Sequence, residues 1–413
     1  MKRAPPFDAS LGMEWYITDV KPCGGKIKRL LEDFVVEEVL EGGLVVSTAG
    51  FEPPQTRPGP WLWVHIVKRD VDTLKLLEVL QRSLRLRRDE VGIGGIKDTR
   101  AVSSHVISLY GVKFEDLPKI QGVEYKRAWY AEYPISPSKI EGNRFTITIR
   151  EIDAGCVAEA LRELDRISVV PNYYGYQRFG TIRPVSHILG RALVKKDAEE
   201  FVRVMFCEVF EGESPRVKEA RELACRGNYS EALSKMPKSM LEERHLLRAL
   251  ASGQNLWNAV MSIPYRVLKI YVEAYQAYLF NKMLSLRLKE GLPELLADDL
   301  VLEGDYPVLA SRSVGNKPPV LPVPGSGLIV PESRARDYLR AVLEDEEIEM
   351  KDFALARIGA SGSYRQAFVS PVWSSRDLAG DTAKLSFKMP RGSYATIVLR
   401  EIIKPEEPRL HGF

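Results

Sequence analysis

The sequence predicts an α+β protein, with a mixed, largely antiparallel sheet in a domain interrupted by a helix-rich insertion. Two observations carry this expectation. Strand-like and helix-like segments mix over residues 1–180 without a regular βαβ repeat, and strand character returns in KLSFKMP, residues 384–390. Between them, over residues 181–370, helical patterns dominate. At roughly 150 residues per domain, a chain of 413 residues has room for two or three domains. A plain serial pair of domains is the alternative.

The elements are taken in chain order. Residues 33–40 (DFVVEEVL) and 61–67 (WLWVHIV) are β-branched and aromatic and read as strands, with a Gly- and Pro-rich loop between them. Thr73 opens TLKLLEVLQRSLRLRR, whose leucines recur at helical spacing and whose basic end suits a helix C-terminus. Residues 91–111 then read as a strand, a Gly-rich loop and a second strand. RFTITIR (144–150) alternates like a half-buried strand, and AGCVAEALRELDRI (154–167) is an amphipathic helix. In the insertion, residues 197–210, 216–227, 239–250 and 265–291 carry helical patterns, and 334–350 is helix-like beyond a Pro- and Gly-rich stretch.

Charge nearly cancels, with 59 Lys+Arg against 56 Asp+Glu for a net +3. That balance argues against a polybasic tail and an acidic disordered chain, while leaving room for a local basic groove. No apolar run approaches the ~20 residues that span a bilayer, and no signal-peptide pattern follows the basic start, so a cytoplasmic protein is expected. Cys23, Cys156, Cys207 and Cys225 form no C-x-x-C pair and do not cluster with histidine. They read as reduced packing residues, and no metal site is expected.

Three segments bear on function. Gly92, Gly94 and Gly95 precede Lys97 and Asp98, in neither a P-loop nor a dinucleotide-binding pattern. The segment is either an ordinary turn with a solvated Lys–Asp pair or a loop presenting Asp98 to a ligand. Residues 172–180, NYYGYQRFG, hold Tyr173, Gln177 and Arg178 among further aromatics. This mixture suits stacking and phosphate contacts with single-stranded RNA, or an aromatic core turn. Basic residues gather at Lys26, Lys28 and Arg29 and again at Arg82, Arg85, Arg87 and Arg88. Such groups either track phosphates or simply meet solvent. None of these signals names an activity alone.

Their order does. IKRLLEDFVVEE (27–38), KRDVDT (68–73), GIKDTRAVS (95–103), GNRF (142–145), NYYGYQRFG, AYQAYLFN (274–281) and MPRGSYATIVLRE (389–401) succeed one another along nearly the whole chain. Together they resemble the TruD family of pseudouridine synthases, in its archaeal and eukaryotic-like branch. Leu31 stands where the family usually has Pro, and Ser103 and His105 where it has Thr and Gln.

The resemblance implies a split pseudouridine synthase catalytic domain, residues 1–180 and 371–413, and a TruD insertion domain, residues 181–370, walling a basic cleft. It also implies isomerisation of uridine in tRNA, notably at position 13. The N1–C1′ bond breaks, the base turns, and C5 joins C1′. No redox group, nucleotide or metal is required, so no cofactor is expected. Asp98 matches the essential carboxylate, whether it adds to the sugar or base or assists glycal formation. Lys28 matches the cation that keeps it ionised, Phe145 the aromatic that stacks on the flipped uracil, and Asn143 an amide near the same loop. Lys97 is expected to meet phosphate or protein. Tyr173, Gln177 and Arg178, with Arg191, Lys195 and Lys196 of the insertion, are the RNA-binding candidates. The expected partner is tRNA, with neither a membrane nor an obligatory protein partner.

Two other classes share parts of this pattern. A catalytically silent RNA-binding module would keep the aromatic and basic segments without needing Asp98. A retaining glycosidase would need a second acid, for which Asp89 and Glu90 are the nearest in sequence.

Overall fold

The computed structural model describes residues 1–291, 294–313, 315, 317–356 and 358–413. The chain divides into two units, one of residues 20–170 and 369–412, the other of residues 1–19, 171–368 and 413.

The first unit is built on a ten-stranded sheet. Its main path runs Val372–Ala379, Thr382–Pro390, Ile140–Ile152, Phe34–Leu40, Val102–Tyr110, Trp61–Arg69, Val123–Ala131. Every neighbouring pair on this path is antiparallel except Phe34–Leu40 with Val102–Tyr110, where Val35 aligns with Val102. This single parallel pair brings the loops preceding both strands, residues 27–33 and 94–101, to the same end of the sheet.

Helices Thr73–Leu84, Ala154–Ile167 and Ala395–Ile403 complete this unit. The first is capped by Asp72, whose side chain accepts from Lys75 N at 2.9 Å, and not by Thr73. It stops at Leu84, short of the basic run, because Arg85 adopts φ 55°. Leu76 and Leu80 of this helix pack with Leu62, Val64, Ile66, Ile107 and Leu109 of the sheet.

The second unit is mainly helical. Its longest helix, Tyr265–Lys289, is buried along most of its length and packs against Ser186–Val194. The approach is close: a Cβ on Gly190 would stand 2.0 Å from the Tyr271 carbonyl, so only glycine fits. A four-stranded sheet, in the order Tyr306–Leu309, Leu300–Glu303, Val320–Val323, Ser363–Gln366, joins the helices.

The boundaries differ from those read in the sequence. Residues 1–19 and 171–180 pack with the helical unit. The reason lies in the NYYGYQRFG rings. Tyr173 is 0% exposed and its hydroxyl meets Ser285 Oγ at 2.8 Å, while Tyr176 donates to Asp8 at 2.9 Å and Phe179 packs edge-on against His187. The segment is an aromatic core turn, and Tyr173 has no open face on which a base could stack.

The cysteines are a second correction. Cys23 bonds Cys156, and Cys207 bonds Cys225, so no described cysteine is reduced. Folding brings the first pair to a Cα separation of 5.3 Å across 133 residues of sequence, which no spacing rule signals. Among the described residues, no helix is long and apolar enough to cross a membrane.

Candidate active site

The parallel strand pair sets Lys28 and Asp98 facing one another. Lys28 Nζ stands 4.0 Å from Asp98 Oδ1, with the lysine side chain 10% and the aspartate 36% accessible. The carboxylate is therefore reachable while its cation is largely shielded.

Each partner is held by its own loop. Lys28 has φ 56°, a left-handed conformation that a side-chain-bearing residue adopts at a cost. The flanking chain holds it there. Ile27 N donates to His411 O at 2.9 Å, Leu30 N donates to Asp33 Oδ2 at 2.8 Å, and Arg150 clamps the Asp33 carboxylate with contacts of 2.7–3.1 Å. Burial pushes the Lys28 pKa down, Asp98 opposes this, and Arg100 adds to the lowering.

The Asp98 loop is fastened through its backbone. Lys97 N donates to Thr73 Oγ1 at 3.3 Å, and Thr73 Oγ1 donates back to Lys97 O at 3.2 Å. Lys68 Nζ donates to Asp98 O at 2.7 Å, Val71 O at 2.8 Å and Lys97 O at 3.4 Å. The Lys97 side chain turns inward, bonding Glu38 Oε1 at 2.7 Å, and both side chains are almost wholly buried. Of the two expectations for Lys97, protein and not phosphate is what it meets. Gly94 belongs to this packing, since a Cβ there would strike Ile140 at 2.4 Å and Glu38 Oε1 at 2.9 Å.

Phe145 lies in the strand alongside, aligned with Val36 on one side and Phe387 on the other. Its ring centroid is 6.3 Å from Phe34, edge to face, and Lys28 Nζ lies 4.3 Å from the Phe34 centroid. Contacts thus run from Phe145 through Phe34 and Lys28 to Asp98. Phe145 is only 5% exposed, so it forms an inner wall where the sequence reading expected an open stacking face. Asn143, two residues earlier on the same face, has a buried Oδ1 with no hydrogen-bond partner among the described residues.

Two of the three departures from the family pattern, Ser103 and His105, are also buried. Neither the Ser103 hydroxyl nor either His105 ring nitrogen has a protein partner among the described residues. Burial, with Lys97, Lys68 and His65 nearby, lowers the His105 pKa well below its ordinary value and keeps the ring neutral.

The RNA-binding candidates lie in the helical unit, apart from this cluster in the chain's division. Arg178 pairs with Glu273 at 3.1 Å, and Gln177 is half-buried. Arg191 meets Glu346 at 3.2 Å and Lys195 meets Glu347 at 3.5 Å, so carboxylates already face these two cations. Lys196 is exposed.

Sequence reasoning did not single out Glu38, Lys68 or Thr73 as parts of the site. The signal lay in segments already noted, since Glu38 closes IKRLLEDFVVEE while Lys68 and Thr73 begin and end KRDVDT. Asp89 and Glu90, the acids weighed for a glycosidase pair, both face Arg87, at 3.6 and 3.1 Å. Among the described residues, no three His, Cys, Asp or Glu side chains gather to hold a metal.

One accessible carboxylate thus stands beside one shielded ammonium at the end of a mixed sheet. A family model described as tRNA pseudouridine synthase D (TruD) matches residues 10–402. The "probable tRNA pseudouridine synthase D" of Pyrobaculum arsenaticum is 50% identical over 100% of both chains. Its namesake from Methanopyrus kandleri is 34% identical over 86% of this chain and 89% of that one. A crystal structure from Methanosarcina mazei assigned to TruD shares the fold, with a TM-score of 0.77 at 24% identity over 99% of this chain and 100% of that one. The chain belongs to the tRNA pseudouridine synthase D (TruD) family.

Proposed function

We propose that this protein isomerises uridine to pseudouridine in tRNA, at position 13, with Asp98 as the reacting carboxylate and no cofactor. The observation that carries this reading is the Lys28–Asp98 pair, 4.0 Å apart, with the carboxylate the more accessible partner. The Lys28 ammonium stabilises the negative charge that Asp98 brings to the reaction. The carboxylate then acts on the sugar or the base as the N1–C1′ bond breaks; the freed base turns, C5 bonds C1′, and the C5 proton leaves while N1 takes one up. The target uridine must leave its stack to reach Asp98, at a cost of a few kcal/mol that contacts along the RNA backbone offset. Asn143 and Phe145 support the site from the strand alongside, Phe145 as the apolar layer against Phe34. A protein that modifies tRNA in this way belongs in the cytoplasm.

The role of Phe145 is separable from simple packing. Phe145→Leu loosens the edge-to-face contact with Phe34, and with it the wall behind Lys28, so single-turnover pseudouridine formation should fall about tenfold while tRNA affinity holds. A parental rate in Phe145→Leu would make the ring core and nothing more.

The helical unit, in this reading, contributes phosphate contacts that set the register of the RNA. Because Arg191 and Lys195 already face carboxylates, Lys196 is the cation to test. Lys196→Gln should weaken tRNA binding and flatten the log–log salt dependence by about 0.7–0.9, the release of one phosphate's counterion. Titrations at several salt concentrations check this, and an unchanged slope would show that Lys196 meets only solvent.

A further inference from the structure

We infer that Lys68 is a positioning residue for the reaction, its ammonium fixing the two peptide planes that flank Asp98 and so aiming the carboxylate. The inference deepens the proposed function and rests on Asp98 being the reacting group.

The geometry is specific. The Lys97 carbonyl lies in the peptide plane entering Asp98, and the Asp98 carbonyl in the plane leaving it. Lys68 Nζ donates to both, at 3.4 and 2.7 Å, and to Val71 O at 2.8 Å. With both planes held, the backbone torsions of Asp98 are set, and only side-chain rotation remains to direct the carboxylate toward Lys28. Thr73 Oγ1 grips the same stretch from Lys97 N and O. Lys68 reaches this point because its strand aligns it with Ser103, just beyond the loop.

Lys68 is 0% exposed, and its ammonium donates to three neutral carbonyls. Burying an ammonium against carbonyls is costly, and packing alone would be better served by an apolar side chain of similar length. Three carbonyls also call for three N–H donors. The ammonium has three and the neutral amine two, so the tie is complete only in the protonated form.

Protonation makes the device visible. Asp98, Asp72 and Asp70 favour the charged form of Lys68, and Lys97 opposes it. His105 also lies within electrostatic range, its ring kept neutral by burial. Burial is the largest influence and brings the Lys68 pKa down to about 8. Below that pH the tie is whole. As pH rises through about 8 the proton leaves, one bond is lost, and the Asp98 loop loosens, so turnover should fall on the alkaline side.

The test compares the parental enzyme, Lys68→Met, Lys68→Arg and Asp98→Asn in single-turnover assays at saturating tRNA, with affinity measured separately, between about pH 6 and 9.5 in roughly half-unit steps. The parental rate should decline above about pH 8. Lys68→Met should lose about 100-fold in rate at about pH 7, with little change in affinity and no decline near pH 8. Lys68→Arg keeps its charge throughout and should recover part of the rate with a profile flat through about pH 8. A near-parental rate in Lys68→Met, or the parental decline persisting in Lys68→Arg, would overturn the inference. If Lys68→Met does not fold, the parental and Lys68→Arg profiles decide alone. Inactive Asp98→Asn beside an unaffected Lys68→Met defeats only this inference, whereas active Asp98→Asn defeats the reading beneath it.

Discussion

Asp98→Asn should abolish pseudouridine formation, by a factor on the order of 10⁴ or more, while tRNA binding and folding survive. The separation comes from how the loop is built. The loop is held by backbone atoms of Lys97 and Asp98, bonded to Thr73 and Lys68, and by the Lys97 side chain on Glu38, with the Asp98 carboxylate left to face Lys28. Asparagine is nearly isosteric, so the loop keeps its path. What vanishes is a negative charge with electrons to share, 4.0 Å from Lys28. Lys28 then loses the Asp98 charge that opposes the effect of its burial, which lowers its pKa further. Single-turnover assays with mapped product, beside a binding isotherm, measure both halves. Substantial turnover by Asp98→Asn would move the chemistry to another residue.

Lys97→Met should be the most damaging substitution to the fold near the site, costing about 3–5 kcal/mol. The side chains of Lys97 and Glu38 are 5% and 0% exposed and 2.7 Å apart. Removing the ammonium strands a carboxylate whose other oxygen accepts from Val106 N, at 3.2 Å, a neutral donor that cannot balance the charge. The Glu38 side chain is 0% exposed, so water does not solvate the stranded charge. The double variant Lys97→Met/Glu38→Gln removes the stranded charge and should recover most of the loss, a non-additivity that reports the pair itself. Urea midpoints at constant slope give the values. By contrast, the exposed Lys139–Glu41 pair, 2.9 Å apart, should contribute less than about 1 kcal/mol. Equal effects at the two pairs would mean that burial does not govern them.

Much of the sheet was legible because its central strands are β-branched runs, the helix at 154–167 because its apolar spacing is regular, and the one at 265–289 because it is a long run of helix-forming residues without Gly or Pro. Edge strands hid. Val372–Ala379 exposes charged and polar side chains along its length, and the alternation that opens Val123–Ala131 is broken by a register shift against His65 and Ile66. The small sheet of the helical unit hid for another reason, as its strands have four residues each and two of them contain proline.

The site divided in the same way. Asp98, Lys28, Asn143 and Phe145 became candidates through the order of motifs, which spacing alone would not have supplied, and the structure sets Lys28 beside Asp98. Glu38 and Lys68 escaped because a charged residue reads as surface until folding shows it buried. Tyr173 and its neighbours misled in the opposite sense: rings and hydroxyls that could meet RNA are spent on Ser285, Asp8 and His187.

Conversion of uridine to pseudouridine in tRNA by this chain is the central claim. Incubating the protein with unmodified tRNA transcripts, without added cofactor, and then mapping pseudouridine nucleotide by nucleotide tests it directly. A new pseudouridine at position 13 is expected, made by the parental protein and absent with Asp98→Asn. Transcripts that bind the protein yet acquire no pseudouridine at any position would contradict the claim.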